Sequence, residues 1–169
     1  MPIPASIERF LADHHVSYTR VPHARAITAQ EEAAVTHTPG RAWAKTVVCL
    51  ANQEPIQAVL PADLVVDTER LRQLAAARTV RIADEREFSD LYPDCDPGAM
   101  PPLGPLYGQR VFVDQTLSAD PEIVFNAGTH TDAIRMRYPD FDALVHPVVG
   151  TFGRRVGAAR RAHEAAAEG

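Results

Sequence analysis

The chain is almost without lysine. Lysine and arginine together number 17, yet Lys45 is the only lysine and every other position of that pair is arginine. Cysteine is scarce too. Cys49 and Cys95 are the only two, and without a CxxC pair or His/Cys ligand spacing they build neither a disulfide framework nor a structural zinc site. The histidines show no HxxxH or HExxH pattern, so no metal is expected. No apolar run approaches the roughly 20 residues that cross a bilayer. The opening Met1-Pro2-Ile3-Pro4-Ala5 has neither a basic nor an apolar leader region, so no membrane association is expected and the default compartment is a reducing cytoplasm. An excess of positive charge is also missing. The formal net charge is −5 and the pI about 5.8, which excludes a broad basic face for nucleic acid; no DNA is expected, and room remains only for a local basic patch.

What is present is one domain's worth of chain: 169 residues, 46% hydrophobic, enough for a single core. Residues 4–15 read as a helix, with Ile7, Phe10 and Leu11 at helical spacing. Residues 17–22 read as a short strand. Thr28-Ala29-Gln30-Glu31 is a capping box opening a second, alanine-rich helix that stops before Pro39-Gly40. Residues 43–50 and 55–60 are apolar and rich in β-branched residues about a break at Ala51-Asn52-Gln53, the pattern of a hairpin. Asp67 caps a helix running to about Arg78, residues 79–82 form a strand, and Asp84 starts another helix. Three strands are expected later, over 110–114, 122–126 and 130–137, and Tyr138 to Phe141 turn into a short helix. Strict βαβ alternation is absent, so the expected fold is mixed α/β of the α+β kind: a mostly antiparallel, barrel-like mixed sheet with flanking helices. The domain is expected over 1–152 and a flexible Arg/Ala-rich tail over 153–169.

Three segments stand out chemically. Lys45 lies within the strand over 43–50, whose two faces are both largely apolar. A lysine there must meet an anion, lose its proton or reach solvent along its stem. The pair Lys45-Thr46 is not a Walker-type phosphate loop, because Pro39 and Ala44 stand where that motif needs glycine. Residues 92–108 hold five prolines and three glycines. A stretch this long without regular structure is unusual in a compact domain and suits a binding wall or a rigid surface connection. Asn126-Ala127-Gly128-Thr129-His130-Thr131-Asp132 joins two strands through a glycine. Its backbone could face a ligand, and His130 beside it is a hydrogen-bond donor or proton carrier. His130 and Asp132 do not form a triad, since no serine or cysteine stands in a nucleophile context. Cys49, inside an apolar strand, reads as core.

Taken together, Thr28 to Glu31, Arg41 to Val48, Gly98 to Gly104 and Phe125 to Met136 make the chain similar to the YbaK/prolyl-tRNA synthetase-associated domain family, over about residues 5–150. The resemblance implies a barrel-like mixed sheet with flanking helices and a free-standing editing hydrolase. Such an enzyme removes amino acids wrongly attached to tRNA, with a small residue on tRNA-Pro as the expected substrate, without a cofactor. It implies catalytic roles for Lys45, Gly128 and His130. Lys45 would hold the terminal adenosine's phosphate or the ester region, and the backbone around Gly128 would orient water or the free amino group. The Gly-x-x-x-Pro loop, Gly98 to Pro102 with Met100 and Pro101, would shape the amino-acid pocket and exclude proline by size. Thr46, Asn126 and Thr129 join the substrate-binding set. Thr46 stands where alanine-specific members carry asparagine, and Thr129 is inserted between the family's glycine and histidine. The substrate's own ribose hydroxyl would assist, so no side-chain base is required. The implied partners are the acceptor end of mischarged tRNA and an aminoacyl-tRNA synthetase. Two other readings use the same residues: a non-catalytic module that docks to a synthetase or tRNA, and a hydrolase of another small ester.

Overall fold

A computed structural model describes residues 2–155. Helix α1 (Ala5–Asp13) buries Ile7 and Leu11, one turn apart on one face. Strand β1 (Thr19–Pro22) follows, then α2 (Ala29–Val35). The capping box opens α2 as its sequence predicts: Glu31 N–H donates to Thr28 Oγ1 at 3.1 Å, and Thr28 N–H donates to the Glu31 carboxylate at 3.2 Å. Strands β2 (Ala44–Ala51) and β3 (Glu54–Pro61) form the hairpin, in register from Ala44 opposite Pro61 to Ala51 opposite Glu54. Its two-residue turn puts Asn52 and Gln53 at φ 51° and 69°, a left-handed pair whose twist suits the flanking strands.

Strand β4 (Val65–Val66) leads into α3 (Thr68–Ala75), where the Asp67 side chain accepts the amides of Glu69 and Arg70. Then come β5 (Val80–Ile82), α4 (Glu85–Phe88), β6 (Arg110–Asp114), α5 (Gln115–Ser118), β7 (Glu122–Thr129), β8 (Asp132–Arg137), α6 (Tyr138–Val145), β9 (Val148–Gly150) and β10 (Gly153–Arg154). The long proline-rich connection carries two short 3₁₀ turns, Ser89–Leu91 and Gly104–Tyr107.

The strands form a five-stranded sheet in the order β5-β2-β3-β6-β9, a three-stranded antiparallel sheet β1-β8-β7, and the pair β10-β4. The β3–β6 and β6–β9 pairs are parallel and the rest antiparallel. A single bridge from Trp43 to Val124 joins the two larger sheets. The mixed, mostly antiparallel architecture with flanking helices is as expected. It is not closed into a barrel: among the described residues β5 and β9 end the larger sheet as open edges.

The five-stranded sheet is covered on both faces. On one, Val59, Val111 and Val113 pack with Ile7 and Leu11 of α1, Phe125 and Ile134 of the smaller sheet and Phe141 of α6. On the other, Cys49, Ile56, Leu60 and Phe112 pack with Leu71 of α3 and Phe152. Cys49 is therefore core, as its strand suggested. No helix of the described residues is long and apolar enough to cross a membrane.

Three features differ from the sequence expectation. Strand β7 runs on to Thr129, so the hairpin to β8 turns at His130-Thr131 and Gly128 lies inside the strand. Helix α5 and the short strands β4, β9 and β10 are additional. Asp114 accounts for two of these: its carboxylate accepts Thr116 N–H at 3.0 Å, starting α5, and the amides of Phe152 and Gly153 at 3.0 and 2.6 Å, holding the chain entering β10. Burial works against the charge of Asp114, yet the Thr116 hydroxyl, which donates to it at 2.6 Å, together with these amides brings its carboxyl below the ordinary value. The expected tail thus begins with two paired residues, and its part from 156 onward lies outside the described residues.

Candidate functional site

A cleft of about 960 Å³ opens beside the first half of β2, at the large end of small-molecule sites. Its position follows from the sheet. β5 pairs only with Cys49, Leu50 and Ala51, and Ala83 N–H closes onto Val48 O at 2.9 Å. The cleft lies beside the earlier part of β2, and Lys45, Thr46, Val47 and Val48 all line it. The other walls come from the start of α2, the segment after β3, the junction of β5 with α4, the Pro97 to Met100 stretch and His130, with Arg155 at the edge.

Lys45 is half-buried. The Thr46 hydroxyl is buried and has no hydrogen-bond partner among the described residues, a donor left for something that enters the cleft. Acidic side chains also line the cleft: Asp63, Asp84 and Glu85. Asp63 stands 3.7 Å from Arg155, while Asp84 caps α4 by accepting Glu87 N–H at 2.9 Å. Among the described residues the lining holds neither serine nor cysteine.

The proline-rich segment is a fixed wall. Ala99, Met100, Pro101, Pro102 and Leu103 are all buried. Gly128 N–H donates to Ala99 O at 2.9 Å, and Asp96 N–H donates to Gly128 O at 2.8 Å, so one residue of β7 grips the segment from both sides of Gly98. Gly128 has φ 96°, and a Cβ there would stand 2.7 Å from the Pro4 ring of the residue preceding α1. Only glycine fits that backbone and that approach. Further along, Gln57 Nε2 donates to Pro101 O at 3.0 Å and contacts the Tyr92 hydroxyl at 3.1 Å, and Tyr92 in turn donates to Gln109. Burial pushes the Tyr92 phenol up to about 12, so it remains a donor at neutral pH.

Of the residues singled out in the sequence, Lys45, Thr46, Gly98, Met100 and His130 come together around the cleft. Gly128, Pro101, Pro102, Asn126 and Thr129 lie behind it. Thr129 donates to the Asp132 carboxylate at 2.6 Å within the β7–β8 turn. His130 is turned inward: its Nε2 is 2.9 Å from the Pro97 carbonyl, and its Nδ1 faces the Glu32 carboxyl at 3.8 Å. Glu32 is the residue that sequence reasoning missed. It lies on α2 with its side chain 1% exposed, and burial pushes its carboxyl up to about 8, against the hydrogen-bonding influence of Asn126 and with the charge of Glu31 adding to the rise. Only the α2 periodicity distinguishes Glu32 from exposed Glu31, and an alanine-rich helix gives that periodicity little contrast. Among the described residues no group of three or more His, Cys, Asp or Glu is gathered as a metal site.

The aminoacyl-tRNA editing domain model matches residues 23–144. No curated protein matches the sequence. Solved structures share the fold, three crystal structures among them. One, of a hypothetical protein, is 18% identical with a TM-score of 0.79 over 88% of this chain and 99% of its own. Another, provisionally assigned as a trans-editing enzyme for prolyl tRNA synthetase, is 20% identical with a TM-score of 0.75 over 90% of this chain and 99% of its own. A third, from Marinobacter aquaeolei VT8 and provisionally assigned to signal transduction, is 18% identical with a TM-score of 0.69 over 90% of this chain but 31% of its own. The same fold thus occurs as nearly a whole chain and as part of a longer one.

Proposed function

The chain belongs to the aminoacyl-tRNA editing domain family, and from that premise we propose that it is a deacylase that hydrolyses the ester of mischarged aminoacyl-tRNA, with tRNA-Pro carrying a small wrong amino acid as the favoured substrate. The observation that carries this reading is the placement of Lys45. The only lysine of the chain stands in the cleft together with the partnerless Thr46 hydroxyl and the Gly98 wall. The fold neighbour assigned to prolyl-tRNA synthetase editing supports the choice of tRNA.

An aminoacyl ester is already activated, so its hydrolysis requires a placed water and a stabilised oxyanion more than a strong nucleophile. A lining without serine or cysteine suits that chemistry. The Lys45 ammonium, a compact charge with three donors, holds the terminal phosphate or the charge that develops on the ester oxygen. The Thr46 hydroxyl orients the attacking water or the carbonyl, and the substrate's ribose hydroxyl assists. The Gly98 to Pro102 wall limits the size of the amino acid. Gly128 serves this wall, since its amide and carbonyl are given to Ala99 and Asp96.

The test is a deacylation time course on tRNA-Pro charged in turn with alanine, cysteine, serine, threonine and proline. The expected result is rapid loss of one wrong amino acid and sparing of proline. Lys45→Ala should fold normally and lose activity by about 10²- to 10³-fold, the scale of one removed oxyanion donor. Full activity in Lys45→Ala removes the role given to Lys45. Tight binding of charged tRNA without turnover replaces the hydrolase by a docking module.

A further inference from the structure

We propose that Glu32 is a positioning residue of the site: its buried carboxyl, facing Nδ1 of His130, fixes the imidazole so that Nε2–H holds the Pro97 carbonyl and with it the Gly98 corner of the cleft wall. The structural part stands by itself, and its effect on turnover rests on the deacylase reading.

The argument starts from what each atom is able to do. The Pro97 carbonyl only accepts, so the His130 nitrogen 2.9 Å from it carries the hydrogen. Among the described residues the other ring nitrogen, Nδ1, is buried and lacks a hydrogen-bond partner, and so does Oε2 of Glu32. These two side chains, 5% and 1% exposed, face each other, with the other carboxyl oxygen of Glu32, Oε1, 3.8 Å from Nδ1. A buried carboxylate without a full partner is costly, and the raised affinity of Glu32 for a proton is the consequence. Once protonated, the carboxyl has an O–H to give, and Nδ1 has a lone pair to receive it. Closing the contact by about 1 Å brings it to hydrogen-bond length and satisfies Nδ1. The imidazole is then held in the Nε2–H tautomer, as an outer partner fixes the tautomer of a functional histidine elsewhere.

The chain of contacts ties three elements that meet at the cleft. Helix α2 is anchored at its start by the Thr28–Glu31 box. Glu32 on that helix holds His130 in the β7–β8 turn, and His130 holds Pro97. Gly98 follows with φ 85°, and a Cβ on it would lie 3.5 Å from His130 Cε1. The ring therefore backs the very residue that forms the corner, with Nε2 bonded to the Pro97 carbonyl and Nδ1 turned to the Glu32 carboxyl. His130 acts through position, not by carrying a proton to the substrate.

Two-bond nitrogen–hydrogen correlation spectra of the histidine-labelled full chain test this, with His130 identified by the signal missing from His130→Gln. The wild type should show His130 as a single Nε2–H tautomer. Glu32→Gln, whose amide donates to Nδ1, should keep it and retain deacylation to within a few-fold. Glu32→Leu should lose the single tautomer and lower kcat about 10²-fold, with KM changed much less. An Nδ1–H tautomer or a freely exchanging ring in the wild type overturns the proposal, as does a Glu32→Leu chain that matches the wild type in spectrum and kcat. If Glu32→Leu does not fold, the wild-type spectrum decides. If the wild type deacylates no charged tRNA, the hydrolase reading falls, and the spectra still decide whether Glu32 sets His130.

Discussion

Lys45 and Glu32 are opposite solutions to the same problem of charge at a half-dry site. Lys45 lies at the wall of an open cleft, where its ammonium keeps access to water or to an anion. Glu32 is sealed behind that wall and takes a proton instead. That difference has a thermodynamic signature. The folded protein binds the Glu32 proton up to about pH 8, whereas the ordinary carboxyl value is 4.5. Between those values the folded state holds more protons than the unfolded one, so stability falls as pH rises through the window. Glu32→Gln, neutral at every pH, lacks this loss. Urea unfolding of both proteins at pH 5 and pH 9 should show the variant gaining on the wild type at the higher pH. Parallel pH dependences would mean that the Glu32 carboxyl is charged and accommodated in the fold.

At the level of elements, the site depends on β7 bending where it meets the proline-rich wall. Its pairing with β8 shifts between Asn126 and Thr129, and Gly128 inside that bulge turns its amide and carbonyl to the wall rather than to the partner strand. Gly128→Ala should therefore destabilise the fold by roughly 1–3 kcal/mol, because φ 96° and the Pro4 ring both resist a side chain. Urea titration measures it; a shift within error of zero would show that α1 yields easily. This bulge also marks where sequence reading stopped. The Thr28–Glu31 capping box, the β2–β3 hairpin and the core helices were legible because each is fixed by neighbouring residues. The placement of Gly128 inside a strand was not, since its reason is a contact with Pro4, more than a hundred positions earlier. Helix α5 escaped for the same kind of reason: Asp114 is oriented partly by Phe152 and Gly153. In the site, Lys45 stood out by composition and the wall by its prolines, whereas Glu32 has significance only through His130, which no spacing reveals.

The whole molecule carries a net charge of −5, an awkward balance for a protein that acts on a polyanion unless its grip is local. Lys45 and Arg155 are the basic side chains that line the cleft among the described residues, and Asp63, Asp84 and Glu85 line it beside them. Arg155 is already engaged with Asp63 at 3.7 Å, and so exposed a pair contributes little. Such a surface suits a single-stranded acceptor end held at one or two phosphates. Each phosphate on a single strand contributes about 0.7 to the slope of log affinity against log salt, so the expected slope is about −0.7 to −1.4. Anisotropy titrations of labelled tRNA between low and physiological salt measure it directly. A slope of about −5 or steeper would require many more phosphate contacts than the cleft supplies. Repeating the titration on a chain truncated after Arg155 then locates them: a slope restored to the shallow value assigns the extra contacts to residues 156–169, where Arg160 and Arg161 lie, and an unchanged steep slope assigns them to arginines on the folded domain.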